Sequence, residues 1–377
     1  MKISAYLRDL KPYQPGKPIE ELVRESGGKP EDIVKVASNE NPLGASPRAI
    51  EAIVKHLSDL HRYPDASHFE IKRKLSKHFN LAPEQFVIGH GSNDIIEFII
   101  RTFSSPGDNL VMSEAGFAIY DVYGKICGLE VKKAKPRGEK SGPEFSEFQF
   151  DLEEMAKLVD EKTRIVFIDN PNNPTGTTLS GDEVEAFLEK VKGYENCVVV
   201  LDHAYEEYVD LVDYPDGVDL VKKFPNLLVM RTFSKAYGLA GLRIGYAYGN
   251  PELIFYLNQM RPPFNVSSLA VAAGIAALDD VEHLNQTVAL NKKVLSFYYS
   301  ELDEMELSYP KSQGNFVMVD IGSSGSAAYE KLLKLGVIAR PLEGYGFMNH
   351  LRINTEKEDS SRRVMQALRK VLRKEGN

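Results

Sequence analysis

A chain of 377 residues, 43% hydrophobic and 27% charged, has the makeup of a globular protein too long for one comfortable core, so two domains are expected. The formal net charge of −8, with no long basic run, removes the electrostatic case for nucleic acid or an anionic membrane as partner. Two cysteines and scattered histidines give no reason to expect a disulfide framework or a metal, no stretch approaches the ~20 apolar residues of a membrane span, and early charges at Lys2 and Arg8 leave no signal-peptide core, so a cytoplasmic location is expected.

Residues 1–36 are polar and interrupted by Pro12, Pro15, Pro18 and Pro30; they read as an arm with a short helix over 19–25, and Tyr13 is the one aromatic of the extended piece Lys11-Pro12-Tyr13-Gln14-Pro15-Gly16. A short strand from Val34 leads into the Asn-rich turn Asn39-Glu40-Asn41-Pro42, and helical spacing then predicts a helix over 47–60. After the turn Arg62-Tyr63-Pro64-Asp65, a helix over 67–79 and a strand over 86–88 follow. That strand ends in Gly89-His90-Gly91-Ser92-Asn93-Asp94 before an apolar helix over 95–103. Glycines at a strand-to-helix turn let backbone N–H groups converge on an anion, although Ser92 and Asn93 are also ordinary N-caps.

Strand, helix and strand are expected over 109–112, 117–126 and 129–131, with Phe117 opening the helix as a core residue or as a ring face for a bound heterocycle. Residues 135–150 read as a surface loop. Three apolar strands then follow in succession. Ile165 to Asp169 runs into Asn170-Pro171-Asn172-Asn173-Pro174-Thr175-Gly176, and after a helix over 181–191, Val198 to Leu201 ends at Asp202-His203-Ala204-Tyr205. The third, Leu227 to Met230, ends at Thr232-Phe233-Ser234-Lys235, with Arg243 beyond two glycines. Near-continuous apolar strands separated by helices mean a parallel sheet covered on both faces, and ligands bind at the carboxyl ends of such strands. Asn173, Asp202, Tyr205 and Lys235 are therefore expected to converge on one crevice.

The rest of the chain reads as a helix over 251–260, a long helical region over 267–305, and a smaller α+β unit. That unit has strands over 315–319, 337–340 and 350–353 and helices near 327–335 and at the end. The expected division is an arm over 1–36 that joins the smaller unit, a large cofactor-binding domain over 37–265, and a small domain over 266–377.

A lysine leaving a buried strand is poorly placed for a solvated charge and well placed to form an imine with an aldehyde cofactor, since burial frees its amine. Singly, Lys235 fits an ordinary loop, Asp202 a helix N-cap and Asn173-Pro174 a plain turn. Together at successive strand ends they fit pyridoxal phosphate: Asp202 on the ring nitrogen, Asn173 and Tyr205 on the phenolic oxygen, and Thr232, Ser234 and Arg243 on the phosphate.

These motifs, with Gly89-x-Gly91-Ser92 and Leu351-Arg352-Ile353, resemble the fold-type-I aminotransferases of classes I and II, and within them the histidinol-phosphate aminotransferases, over nearly the whole chain. The resemblance implies an α/β fold with a mostly parallel central sheet flanked by helices and a smaller α+β domain. It implies transamination of histidinol phosphate with 2-oxoglutarate, giving imidazole acetol phosphate and glutamate in histidine biosynthesis. It also implies that Lys235 is the catalytic lysine with Asp202 and Tyr205, and that Ser92, Asn93, Phe117, Asn173, Thr232, Ser234 and Arg243 hold the cofactor. It further implies that Tyr63 reaches the cofactor phosphate of a neighbouring copy in a homodimer and that Tyr13, Asn39, Arg340 and Arg352 meet the substrate. An aromatic aminotransferase, with a pocket of Tyr13, Phe117 and Tyr120, is the nearest alternative; a phosphothreonine-type decarboxylase and a non-catalytic module are more distant ones. Two departures from the family pattern stand out: Asn93-Asp94 after Gly-Ser, and Asn354-Thr355-Glu356 where Thr-Val/Ile-Gly is usual, beside the substrate arginine.

Overall fold

A computed structural model describes residues 5–8, 16–140 and 142–373. The elements run α1 (Ile19–Ser26), β1 (Val34–Lys35), α2 (Pro47–His56), α3 (Phe69–Phe79), β2 (Phe86–Gly89), α4 (Ser92–Phe103), β3 (Asn109–Ser113), α5 (Ala118–Ile126) and β4 (Glu130–Ala134). Next come α6 (Leu152–Leu158), β5 (Thr163–Asp169), α7 (Gly181–Val191), β6 (Val198–Asp202), α8 (Gly217–Lys223), β7 (Leu227–Thr232), β8 (Gly245–Gly249), α9 (Pro251–Met260), α10 (Ser268–Leu278) and α11 (Val281–Glu304). The last are β9 (Phe316–Asp320), α12 (Gly325–Lys334), β10 (Val337–Ile338), β11 (Arg340–Pro341), β12 (His350–Asn354) and α13 (Glu358–Leu372).

Seven strands form the main sheet in the order β2-β8-β7-β6-β5-β3-β4, parallel except for β8, which runs antiparallel to both neighbours. The period-2 pleat divides each apolar strand between two cores. Val166, Ile168, Val199, Leu201 and Val229 pack on one face, while Ile165, Phe167, Val200, Leu228 and Met230 pack on the other. A third core, with Val317, Val319, Leu351 and Ile353, lies on the antiparallel sheet β11-β12-β9.

Several expectations change. Residues 135–150 are not merely a surface loop: Phe145, Phe148 and Phe150 are buried, with Phe148 edge-on to Phe347 and Phe145 edge-on to His350. Each buried ring is worth roughly 1.5–3 kcal/mol, enough to pull a segment with a polar start inward. The region 267–305 is two helices, because Asp280 caps α11 through His283 N–H and also accepts from Ser46 Oγ at 2.6 Å. Within residues 16–36, β1 pairs with β10 and Leu22 is buried beside Ile338. The strand β8 and the short helices α6 and α8 were not anticipated. Among the described residues no helix is long and apolar enough to cross a membrane, and no group of three or more His, Cys, Asp or Glu is placed to hold a metal.

Candidate active site

The carboxyl ends of β5, β6 and β7 open into a cavity of about 300 Å³, closed from the other side by residues of β11 and β12. Its walls include Asn173 and Phe117, Asp202 and Tyr205, Thr232, Ser234 and Lys235, Ser92, Asn93 and Arg243, and, from outside the main sheet, Asn39, Arg340 and Arg352. Two expected site residues are not among them. Tyr63 stands 83% exposed and stacks on Phe264 with ring centroids 4.8 Å apart, and Tyr13 lies outside the described residues.

One end of the cavity is built for an anion. α4 starts at Ser92, earlier than its apolar residues suggest, and its first turn has no side-chain cap. Uncapped N–H groups and the helix dipole favour negative charge there. Arg243 closes the cup: its Nη1 donates to Ser234 Oγ at 3.4 Å, and Thr232 Oγ1 donates to Ser234 Oγ at 3.0 Å. Gly91 sits at φ +78°, which favours glycine, and a Cβ there would push the Arg243 guanidinium out of the cup. The Asn93-Asp94 departure leaves the cup in place, since Asp94 turns back to accept from His90 N–H at 2.8 Å.

Deeper in, Asp202 accepts from Tyr120 Oη at 2.7 Å and from Ala204 N–H at 3.1 Å. Burial pushes its carboxyl up to about 6, against the pull of those two donors. Tyr120 is fully buried and stacked on Phe167 at 4.2 Å. It stands behind Asp202 and is not a wall of the cavity, which corrects the expectation that it lines a substrate pocket. Phe117 precedes α5 as its N-cap residue, so the i, i+3 spacing does not put the two rings on one helical face: Phe117 lines the cavity and Tyr120 enters the core.

Lys235 Nζ donates to Ser38 O at 3.2 Å and sits 5.7 Å from the Tyr205 ring centre. Burial first, then the charges of Arg352 and Arg243, push its amine down to about 8, with Glu40 and Asp202 opposing. Gly238, at φ +68°, lets the loop after Lys235 press against Gly44 O, where any side chain would collide.

Arg352 is buried, with Nη1 on Asn173 Oδ1 at 2.5 Å, Nη2 on Ala37 O at 2.8 Å, and its guanidinium 5.4 Å from the Phe316 ring centre. Tyr205 accepts from Asn39 Nδ2 at 2.8 Å, and burial holds its phenol well above the usual range. The Asn354-Thr355-Glu356 departure does not enter the cavity. Asn354 Oδ1 accepts from Asn39 N–H at 3.1 Å, and Thr355 Oγ1 donates to Asn291 Oδ1 at 2.9 Å, so these residues hold the segment that presents Asn39. The cavity wall also contains Asp169 and Tyr345, which sequence reasoning passed over.

The donor set fits an aromatic aldehyde bearing a phosphate: an anion cup, a buried carboxylate, an aromatic wall at Phe117 and a lysine amine share one cavity. Comparison with known proteins agrees. The family model Aminotransferase class I and II matches residues 31–368. Histidinol-phosphate aminotransferase 2 of Pseudomonas aeruginosa is 46% identical over 366 residues, covering 97% of this chain and 96% of the relative. The histidinol-phosphate aminotransferase of Caldicellulosiruptor saccharolyticus is 43% identical over 369 residues, covering 97% and 99%. The crystal structure of histidinol-phosphate aminotransferase from Sinorhizobium meliloti, in complex with pyridoxal-5'-phosphate, superimposes with a TM-score of 0.85 at 26% identity, covering 99% of this chain and 98% of that one.

Proposed function

We propose that this chain, which belongs to the class I and II aminotransferases, is a pyridoxal-phosphate enzyme that moves an amino group from histidinol phosphate to 2-oxoglutarate, a step of histidine biosynthesis. The observation that carries the reading is the meeting of Lys235, Asp202 and the Arg243 cup with a second buried arginine, Arg352, in one cavity. When bound, pyridoxal phosphate supplies an electron sink for negative charge at the substrate's Cα.

In this reading Ser92, Asn93, Thr232, Ser234 and Arg243 hold the cofactor phosphate, Phe117 lies against the ring, and Lys235 carries the cofactor. Asp202, steadied by Tyr120, keeps a proton on the ring nitrogen. Asn173 spends its Oδ1 on Arg352, so its Nδ2 is left to donate to the phenolic oxygen; Tyr205 receives from Asn39 and keeps its own hydrogen to donate. An amine near 8 is free over a useful part of the neutral to mildly alkaline range, which suits Lys235 to move the proton at Cα. Arg352 and Arg340 bring positive charge for the substrate's carboxylate or phosphate, and a guanidinium fork takes either. Tyr13 and Asn39 complete the substrate side.

We also assign the enzyme to a homodimer, with Tyr63 reaching the neighbouring copy's cofactor phosphate. The support is a set of exposed apolar side chains, among them Val54, Leu60, Phe69 and the stacked pair Tyr63 and Phe264. The sequence places 37–265 in a large domain and 266–377 with the segment 1–36 in a small one; because Ala270 and Ala273 pack into the main-sheet core, we assign α10 to the large domain and start the small one near α11. Two unpaired cysteines, Cys127 and Cys197, suit the cytoplasm.

Steady-state assay tests the substrate. With cofactor and 2-oxoglutarate, histidinol phosphate yields glutamate with kcat/KM at least about 100-fold above that of phenylalanine, because a phosphate dianion can engage both Arg340 and Arg352 where phenylalanine brings a single carboxylate. Equal values would move the assignment to aromatic amino acids.

A further inference from the structure

Asp169 is the last residue of β5 and pairs in register with Asp202, the last residue of β6. Residues paired this way on neighbouring parallel strands, about 4.8 Å apart, project to the same side of the sheet. Two carboxyl groups thus reach the floor of one cavity, and Asp169 is only 4% exposed.

Their surroundings differ. Asp202 has a donor on each oxygen, Tyr120 Oη and Ala204 N–H, with Lys235 nearby. Asp169 receives both its donors on Oδ2, from Asn172 Nδ2 at 2.8 Å and Asn173 N–H at 2.9 Å. Among the described residues its Oδ1 is buried without a hydrogen-bond partner. Among them, too, no lysine, arginine or histidine is hydrogen-bonded to it; its titratable neighbours include Asp202 on β6 and Tyr120 on α5, and Arg352 on β12 is reached through Asn173. A buried, bare carboxylate oxygen is costly, whereas a protonated one becomes a donor.

We propose that Asp169 is a positioning residue of the cofactor site, which takes up pyridoxal phosphate with Asp169 neutral and leaves the single negative charge of the pair on Asp202. The proton comes from bulk water, and at Asp169 itself only that O–H bond forms. Burial, with Asp202 beside it, pushes the Asp169 carboxyl up to about 7. Below that pH the neutral form is present before the cofactor arrives. Above it, binding must take up a proton, and affinity falls. Asp169 also anchors the backbone of Asn173, so it ties the protonation of the floor to the residue that faces both the cofactor and Arg352.

The inference rests on the cofactor reading above, and equilibrium dialysis of pyridoxal phosphate against the cofactor-free protein separates the two. Wild type, Asp169→Asn and Asp169→Ala are compared from pH 5.5 to 9. Tyr205, held by burial well above the usual phenol range, stays neutral in all three and Lys235 is common to them, so the difference between the curves reports Asp169 together with its coupling to Asp202. The asparagine, an uncharged isostere that still accepts from the turn, is expected to match wild type within about twofold at pH 6 and to bind about tenfold tighter than wild type at pH 8.5. Calorimetry at pH 8 in buffers of different ionisation enthalpy is expected to show close to one more proton taken up by wild type than by Asp169→Asn. Asp169→Ala, which loses the turn anchor, binds weakly at every pH. Parallel pH curves for wild type and Asp169→Asn overturn the proposal, as does an asparagine variant weakened at every pH like the alanine. Wild type that binds no pyridoxal phosphate at any pH overturns the cofactor reading instead.

Discussion

Lys235→Ala is expected to lower turnover by at least about 10⁴-fold, the upper range for losing a positioned proton carrier, and to abolish the covalent hold on the cofactor as well. The fold should survive. Lys235 is held by burial in a form its amine does not favour, with one hydrogen bond to Ser38 O, so its removal relieves a desolvation cost and opens only a small void beside Tyr205. Circular dichroism and the thermal midpoint of the cofactor-free variant should match wild type while the visible absorbance of the bound cofactor changes. Lys235→Arg should be equally inactive, because a guanidinium stays protonated and cannot serve as the base. A variant retaining more than about one hundredth of wild-type turnover would remove Lys235 from the centre of the mechanism.

Arg352→Ala is the second large effect. The guanidinium is buried and spent on Asn173 Oδ1 and Ala37 O, so truncation removes the substrate's counter-charge and also leaves two acceptors without a donor. Losing one partner of a buried charged contact costs about 2–5 kcal/mol, which amounts to a fall in kcat/KM of roughly 30- to several-thousand-fold for both amino donor and keto acid. Most of it should appear in KM. Arg352→Lys should recover little, since a single ammonium cannot span the two acceptors and an anion. A pH effect accompanies it. Burial chiefly, and Arg352 second, depress the Lys235 amine, so removing Arg352 raises that pKa and moves the acidic limb of the rate profile to higher pH. An unmoved limb would mean that the two groups do not sense each other.

Much of this site was legible in the chain because parallel sheets place chemistry at strand ends. Asp202 and Lys235 each follow an unbroken apolar strand, and Asn173 follows a third, so their convergence needed only the period of the pattern. Arg352 was reached by resemblance, since nothing in a short antiparallel strand announces that β12 turns its arginine toward the main sheet. Tyr120 was misplaced because periodicity fixes which residues share a helix face and not what that face meets; here it meets Phe167 and Asp202. Asp169 went unremarked because a carboxylate before Asn-Pro looks like turn chemistry, and only the register with Asp202 reveals the pair. The segment 135–150 misled for a different reason. Its polar start outweighs three phenylalanines, and the ring partners of two of them, Phe347 for Phe148 and His350 for Phe145, lie some two hundred residues away.

The Asn354-Thr355-Glu356 departure shows how position alone misleads. Next to the substrate arginine in sequence, it bore on specificity; in the structure Asn354 faces away from the cavity and steadies Asn39, which in turn donates to Tyr205. Its influence on the reaction runs through that hydrogen-bond chain.

The most direct test is a single half-reaction with the cofactor-loaded protein and no keto acid, following loss of the bound cofactor's resting absorbance after histidinol phosphate, phenylalanine or glutamate is added separately. Histidinol phosphate is expected to discharge it about 100-fold or more faster than phenylalanine at equal concentration, with glutamate also reacting because it is the product-side donor. Phenylalanine matching histidinol phosphate would contradict the substrate assignment, and no reaction with any of the three would contradict transamination itself.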